Sequence, residues 1–577
     1  MRIMNRVQTV GRRSRVGICR LLFGMSALVA ASAAACGGGD AEQGPDQNVP
    51  DGGADTDANA GGNPNPDPTP VEAPDSGTNA EADGGTDAFV PPPVCVGTKL
   101  PTEEPCTIAE GYGVFVAPSG DDAAEGSRGA PVKTIQKGID LAKAQNKRVY
   151  VCAATYSESI VLADGVSVFG YFDCEKNWEL KPSARAVIES PTSPVARANG
   201  ITTDTRVEAV DLIAPDYAPL PSARATAAQS SIGLVAVGSP RLLMINGRIR
   251  ARGGQSGADG EAAPQFVQAG DPRGGAPDNA FVRCQRDAGD FITWRCGTVV
   301  VPRGGESRCQ YPDGRPAPAE FRGGSGGAGA TYNAYEAVCA GVNCLPRWVL
   351  VSFGNPGTPA QGAGAGGVPA PVPGADGASG DRFGALSAQG YAPADGRAGT
   401  NGQPGIGRAG SPADAPPLGA AGPNTGTVWR GPSGAGGGGG GCAGVAGTAG
   451  RGGGASIAVL AIDSPLVLRA MTLETGAGGK AGQGTVGSSG TPGGAGGLSS
   501  HPQNLGVAGV AGTNGGISGS GGGGPSIGVV IKGPKPSIED LTFIGGSAGA
   551  GALPVQRDGR TLPASPAGIA AQEHVVL

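Results

Sequence analysis

Residues 113–172 read GVFVAPSGDDAAEGSRGAPVKTIQKGIDLAKAQNKRVYVCAATYSESIVLADGVSVFGYF. A short apolar strand from Gly113 runs into a turn at Gly120-Asp121-Asp122. Pro131 to Lys143 then reads as one helix, with Val132, Ile135, Ile139 and Ala142 on a single face. Pro131 would open it, and Lys143, Lys147 and Arg148 sit where the helix dipole is negative. Three short β-branched and aromatic runs follow, Arg148–Cys152, Ser159–Leu162 and Gly165–Tyr171. Turns are expected between them at Thr155-Tyr156-Ser157 and Ala163-Asp164-Gly165.

An internal repeat extends this pattern. Ser231-Ile-Gly-Leu-Val-Ala-Val-Gly-Ser-Pro240 leads to Gly247-Arg248-Ile249 and Gly253-Gly254. Ser456-Ile-Ala-Val-Leu-Ala-Ile-Asp-Ser-Pro465 leads to Met471-Thr472-Leu473 and Gly478-Gly479. Ser526-Ile-Gly-Val-Val-Ile-Lys-Gly-Pro534 leads to Leu541-Thr542-Phe543 and Gly545-Gly546. Each block is strand, Pro-bearing turn, strand, glycines, and Val207–Ile213 matches the second strand of an earlier member. Such repeats stack coil on coil. The glycine-rich excursions always leave after the same strand, which puts them on one edge of the stack.

The stretch 113–172 resembles the opening of right-handed parallel β-helix proteins of the pectin-lyase-like superfamily. There, a strand, a Gly-Asp-Asp turn and a helix like Thr134-Ile135-Gln136-Lys137-Gly138-Ile139 cap the first coil. The resemblance implies an all-β, right-handed parallel β-helix with a short N-terminal capping helix, here carrying long glycine-rich insertions. It says little of activity, because that superfamily holds lyases, hydrolases and non-enzymes.

The organisation follows from composition. The 577 residues include 108 Gly and 50 Pro, more than twice the usual share, and only 2 His. Residues 1–36 carry six Arg and no acid; Leu21 to Ala35 is apolar and too short to span a bilayer, as expected of a signal peptide. It ends Ala33-Ala34-Ala35-Cys36-Gly37, which resembles a bacterial lipoprotein signal with Cys36 as the lipidated residue, although Ala33 stands where a bulkier residue is usual. Cleavage after Ala33 or Ala35 with plain secretion is the alternative. Arg12-Arg13 hints at twin-arginine export, but Ser-Arg-Val follows it poorly. By resemblance to Gram-negative lipoproteins, Gly37 after the cysteine favours the outer membrane or cell surface over retention at the inner membrane; a secreted or periplasmic protein is the alternative.

Residues 37–94 carry twelve acids and no Lys or Arg, with almost no large apolar residue, and read as a disordered acidic tether. Asp55-Thr-Asp57-Ala-Asn59-Ala-Gly61 begins like a calcium loop but has Pro66 where the bidentate Glu belongs. The β-helix is expected over 95–252, 455–473 and 525–577, with insertions at 253–454 and 474–524. The insertions read either as flexible linkers or as polyproline-II-like strands packed together, which resembles glycine-rich regions of bacterial surface proteins. On the stacked-coil reading, shortening both should be neutral or mildly stabilising.

Ten cysteines remain beyond Cys19 and Cys36: Cys95, Cys106, Cys152, Cys174, Cys284, Cys296, Cys309, Cys339, Cys344 and Cys442. Export and the absence of a CxxC pair favour disulfides over zinc. Cys95 and Cys106 would close a small loop, and Cys152 and Cys174, 22 residues apart, suit adjacent coils. Residues 281–352, with most of the later aromatics, read as a disulfide-stapled knob.

No catalytic set stands out. No His precedes residue 500, so the Gly-His-Gly pattern of the hydrolases is missing. Asp121, Asp122, Glu158, Asp164, Asp173, Glu208 and Asp211 fall mostly in turns, where acids bond backbone. Asp204, Arg206, Asp211 and Arg248, on neighbouring coils, are the one cluster resembling a lyase site. The near-neutral body gives no case for nucleic acid. The expected protein has no metal or cofactor, a membrane partner through its lipid, polysaccharide as a possible ligand, and glycine-rich loops open to self-association. Its function reads as structural or adhesive, with a polysaccharide lyase or hydrolase as the alternative.

Overall fold

The computed structural model describes residues 95–277, 282–286, 294–295, 301–331, 333–340, 345–353, 369–413, 428–430, 433–499, 505–557 and 559–577. The signal peptide, Cys36, the tether, Cys296 and Cys344 lie outside the described residues.

Three parallel sheets stack rung on rung. Sheet A orders Gly113–Val116, Arg148–Cys152, Val168–Asp173, Thr205–Glu208, Leu242–Ile245, Val467–Arg469 and Ser537–Glu539, with Glu179–Leu180 antiparallel at one side. Sheet B holds Thr155–Tyr156, Ala186–Glu189, Val210–Ile213, Arg248–Ala251, Thr472–Thr475 and Thr542–Ile544. Sheet C holds Ile160–Leu162, Ala196–Asn199, Ser231–Val237, Ser456–Ile462, Ser526–Lys532 and Ala570–Val576. The chain runs A, B, C and returns to A, and alternate residues such as Val207, Leu212 and Leu234 fill one shared core. This is a parallel β-helix. The repeats stack in the expected register: Ser231 faces Ser456, which faces Ser526.

Two local readings need correction. The repeat has three strands, not two: Leu242–Ile245 and its successors lie between the Pro-bearing turn and the strand beginning at Arg248. Thr155–Tyr156 is a strand of sheet B rather than a turn. A single left-handed residue makes the corner from A to B at Ala209, Asn246, Ala470 and Asp540, with φ of 50–56°. Helix α1, Ile135–Gln145, begins four residues after Pro131, directly behind its N-cap Thr134. Its first amides are taken by side chains: Asp122 accepts from Lys133 and Thr134, and Glu158 from Ile135 and Gln136. Ile135, Ile139 and Ala142 close the first rung of the core.

The excursions leave between sheets B and C. Sheet B extends to Thr475, so the second begins at Gly476. Their described parts are not flexible linkers. Amides donate to neighbouring backbones at every third residue, as from Gly441, Gly444, Gly447, Gly450 and Gly453 to Val510, Thr513, Gly516, Gly519 and Gly522. That period is the three-residue turn of polyproline II, used here with hydrogen bonds between helices. Segment 433–444 is buried at the centre. Gly436 and Gly439 donate to 272–275, Gly437 and Gly440 to 324–327, and Gly438 and Gly441 to 507–510. A Cβ on the same three faces would meet Arg303 and Gly305, Arg408 and Gly405, or Gly494 and Thr491. Six neighbours around one helix leave no position for a side chain, which is why six glycines run together.

This bundle packs on the β-helix. Ile232, Val235, Ile457, Leu460, Ile527 and Val530 form the outer face of sheet C and are buried beneath Tyr391, Phe383 and Leu386. Those cover residues surround the hairpin Ala385–Ser387/Gly390–Ala392, whose turn accepts both Arg197 Nη atoms. This burial argues against the expected neutrality of shortening the insertions.

Disulfides join Cys95 to Cys106, Cys152 to Cys174, and Cys309 to Cys442. Cys284 is disulfide-bonded as well. The Cys309–Cys442 bond ties the 281–352 region to the central glycine helix. In addition, Asn333–Ala340 pairs with Val428–Arg430, so the region is not a self-contained knob.

Candidate functional site

The outer face of sheet B carries a ladder of charge. Because side chains alternate along a strand, Arg248, Arg250 and Arg252 follow one another outward or just past the strand while Ile249 and Ala251 point to the core. Parallel register then sets Arg250 beside Glu474 and beside Ile213. One Glu474 carboxylate lies 3.4 Å from Arg248 Nε and 3.3 Å from Arg250 Nε. Arg252 Nη2 meets Glu189 Oε1 at 2.6 Å. Arg185 reaches over the corner at Ala209 and donates to Asn246 Oδ1 at 2.9 Å, and its buried Nη1 has no partner.

Asp211 lies within this ladder, buried, with Oδ1 accepting the Arg248 amide at 2.9 Å. Burial pushes its carboxyl above the usual carboxylate range, and Glu474 adds to that. The Arg248 amide and the charges of Arg185 and Arg248 pull the other way. The face thus combines four guanidinium groups with three carboxylates, one of them, Asp211, buried and accepting the Arg248 amide. It can offer planar, bidentate donors and a hydroxyl-directed acceptor to a polar chain lying along the rungs.

Of the four residues grouped from the sequence, the structure brings Asp211 and Arg248 together. Asp204 instead pairs with Arg241 at 2.7 Å, and Arg206 with Glu208 at 2.8 Å, both around the corner on sheet A. Arg185, Asn246, Arg250 and Glu474 were missed. The Arg-x-Arg-x-Arg alternation at 248–252 carried the signal, but linking Glu474 to it needs the register across a 200-residue insertion. Among the other acids, Asp164 accepts from the Thr202 and Thr203 amides, and Asp122 and Glu158 cap α1. Among the described residues no three His, Cys, Asp or Glu converge as a metal site.

A concavity of about 690 Å³ lies elsewhere, beside the Cys152–Cys174 bond, with Ser119, Asp173, Glu175 and Lys181 on its walls. Residues 118–176 match the model of a family described as a protein of unknown function, DUF1565. The matched stretch spans the opening turn, α1 and the first coil, and supplies most of the walls of that concavity. No curated protein and no solved structure matches the chain.

Proposed function

We propose that this chain is an exported, lipid-anchored cell-surface protein with a structural or adhesive role, and that the outer face of sheet B binds glycan. The observation that carries the reading is the ladder itself. The bundle covers sheet C, and Phe115, Tyr150, Phe169 and Phe172 are covered by Trp178, Leu100 and Ile108 at the start of sheet A. Sheet B instead leaves Arg248 and Arg250 about half exposed (47% and 48%) on its outer face. Exposed pairs of this kind add little stability.

Affinity electrophoresis through polygalacturonate, alginate or dextran tests this. Retardation by one of the acidic polymers is expected, and Arg248→Ala with Arg250→Ala should weaken it at least about tenfold, the worth of a single charge-assisted hydrogen bond. Equal migration of wild type in all three gels would refute it.

Asp211, with its raised carboxyl beside Arg185 and Arg248, favours a second reading, a polysaccharide lyase of pectin-lyase-like type. Unsaturated-product absorbance after incubation with the same polymers, with and without calcium, would replace the first reading by the second.

The anchor rests on the small-residue run before Cys36 and the acidic tether after it. Cys36→Ser should move the protein from the membrane to the soluble fraction, since multiple acyl chains are needed for stable anchoring. A wild-type protein already soluble after export would end the lipoprotein reading.

A further inference from the structure

The bundle continues the β-helix register outward. The helix leaving sheet B on one rung donates to its counterpart on the next: Gly254, Gly257 and Gly260 to Ala477, Lys480 and Gln483, then Gly478 and Ala481 to Ser547 and Ala550. The row that begins with Gly478 and Ala481 continues through Gly484, Gly487, Gly490, Gly493 and Gly496. The next hairpin is too short to cover it, since it turns back at Val555–Arg557 and Arg560–Leu562. Ser520 Oγ takes the Gly484 amide at 2.9 Å, and Asn514 Oδ1 takes that of Gly490 at 3.0 Å. The amides of Gly487, Gly493 and Gly496 have no acceptor among the described residues. On the returning helix, Gly524 accepts the Gly549 amide, and the carbonyls continuing that row from Gly521 to Gly506 receive no described amide.

We infer that the trough between 490–498 and 505–514, beyond the buried Gly487 and Ile517, docks one further polyproline-II helix, a Gly-X-X segment of a partner polypeptide. The interface already exists in the covered half, where 545–553 occupies the equivalent place; the half that no described residue covers repeats the same row of donors and acceptors. There the contacting residues are Gly546 and Gly549, whose Cβ atoms would overlap the Gly476 and Gly479 carbonyls. An occupant therefore needs glycine at every third position and no proline where an amide must donate. From Gly490 to Gly496 the trough holds about seven residues over about 19 Å. The mode is the polyproline counterpart of adding a strand to a sheet edge, with main-chain bonds giving affinity.

The register supplies the test. Gly484 with Ser520 and Gly490 with Asn514 place Ala511 opposite Gly493 and Ala508 opposite Gly496, and both alanines are exposed. Ala508→Asn with Ala511→Asn should cap both amides as Asn514 caps Gly490. A fluorescent (Gly-Ser-Ala)5 peptide should bind the full chain saturably, and an isomer without glycine at every third residue should not. The double variant should lose about tenfold or more in Kd, with its melting temperature unchanged or raised. No saturable binding to wild type, or equal affinity in the double variant, would overturn the inference. A peptide-free wild-type dimer in sedimentation velocity that the double variant abolishes would also overturn it, by making a second copy the occupant.

Discussion

Gly438→Val should unfold the glycine-rich bundle, lowering stability by at least about 3 kcal/mol. Gly438 donates to Val507 on one side, and its missing side chain faces the Gly494 carbonyl on another. A Cβ there would also stand 2.6 Å from the Gly509 nitrogen. All of these atoms are backbone, so no side-chain rotation can make room. Separating the helices to admit one methyl would break the three-residue ladder along its length, because each helix shares its bonds with several neighbours. Ala495→Ser is the matched control. It lies in the same bundle, in the second excursion, at an exposed position, and it should shift stability by less than about 0.5 kcal/mol. Urea unfolding followed by far-UV circular dichroism separates the two. A Gly438→Val protein that melts with the control would mean that the helices are not packed around 433–444.

Much of the β-helix was legible because its signals are local. Short β-branched runs, the Ser-Ile start of each repeat and a recurring Pro-bearing turn carry the rung, and Ser231, Ser456 and Ser526 align as the repeat implies. The third strand was hidden because Leu242–Ile245, Val467–Arg469 and Ser537–Glu539 are short and differ in composition. Composition left the glycine regions open between coil and bundle. Flexible linkers and polyproline-II bundles both want glycine; only the placement of Gly at each third residue, and at every residue of 436–441, distinguishes them. The site was half legible for a related reason. Asp211 and Arg248 sit on adjacent rungs of one sheet, whereas Asp204 and Arg206 lie beyond a left-handed corner at Ala209, where an alanine gives no hint of a turn.

Replacing both insertions with short turns should abolish cooperative folding, although loop-closure entropy alone would favour the shorter chain. The reason is the strand sequence at 231–237, 456–462 and 526–532. Apolar residues run there without alternation, as in a strand buried on both faces. Leu234, Val459 and Val529 point into the β-helix core, while Ile232, Val235, Ile457, Leu460, Ile527 and Val530 face the bundle. Exposing those six would forfeit about 10 kcal/mol of apolar burial, comparable to the whole stability of an ordinary domain. It would also present a flat aliphatic sheet for aggregation. Size-exclusion chromatography and thermal circular dichroism of the shortened chain should show aggregates and no sharp melt. Changing the six outward residues to Thr and Ser in that chain should recover a soluble, cooperatively melting β-helix, because the inward set is untouched and threonine suits a strand. Recovery would place the bundle's structural role at the sheet C interface. A shortened chain that melts sharply with its aliphatic face intact would show that the bundle adds nothing to the fold. Failure of the Thr/Ser version as well would mean that the rungs depend on the bundle through the register of its helices, which continue the β-ladder from Gly254 to Ala477 and from Gly478 to Ser547.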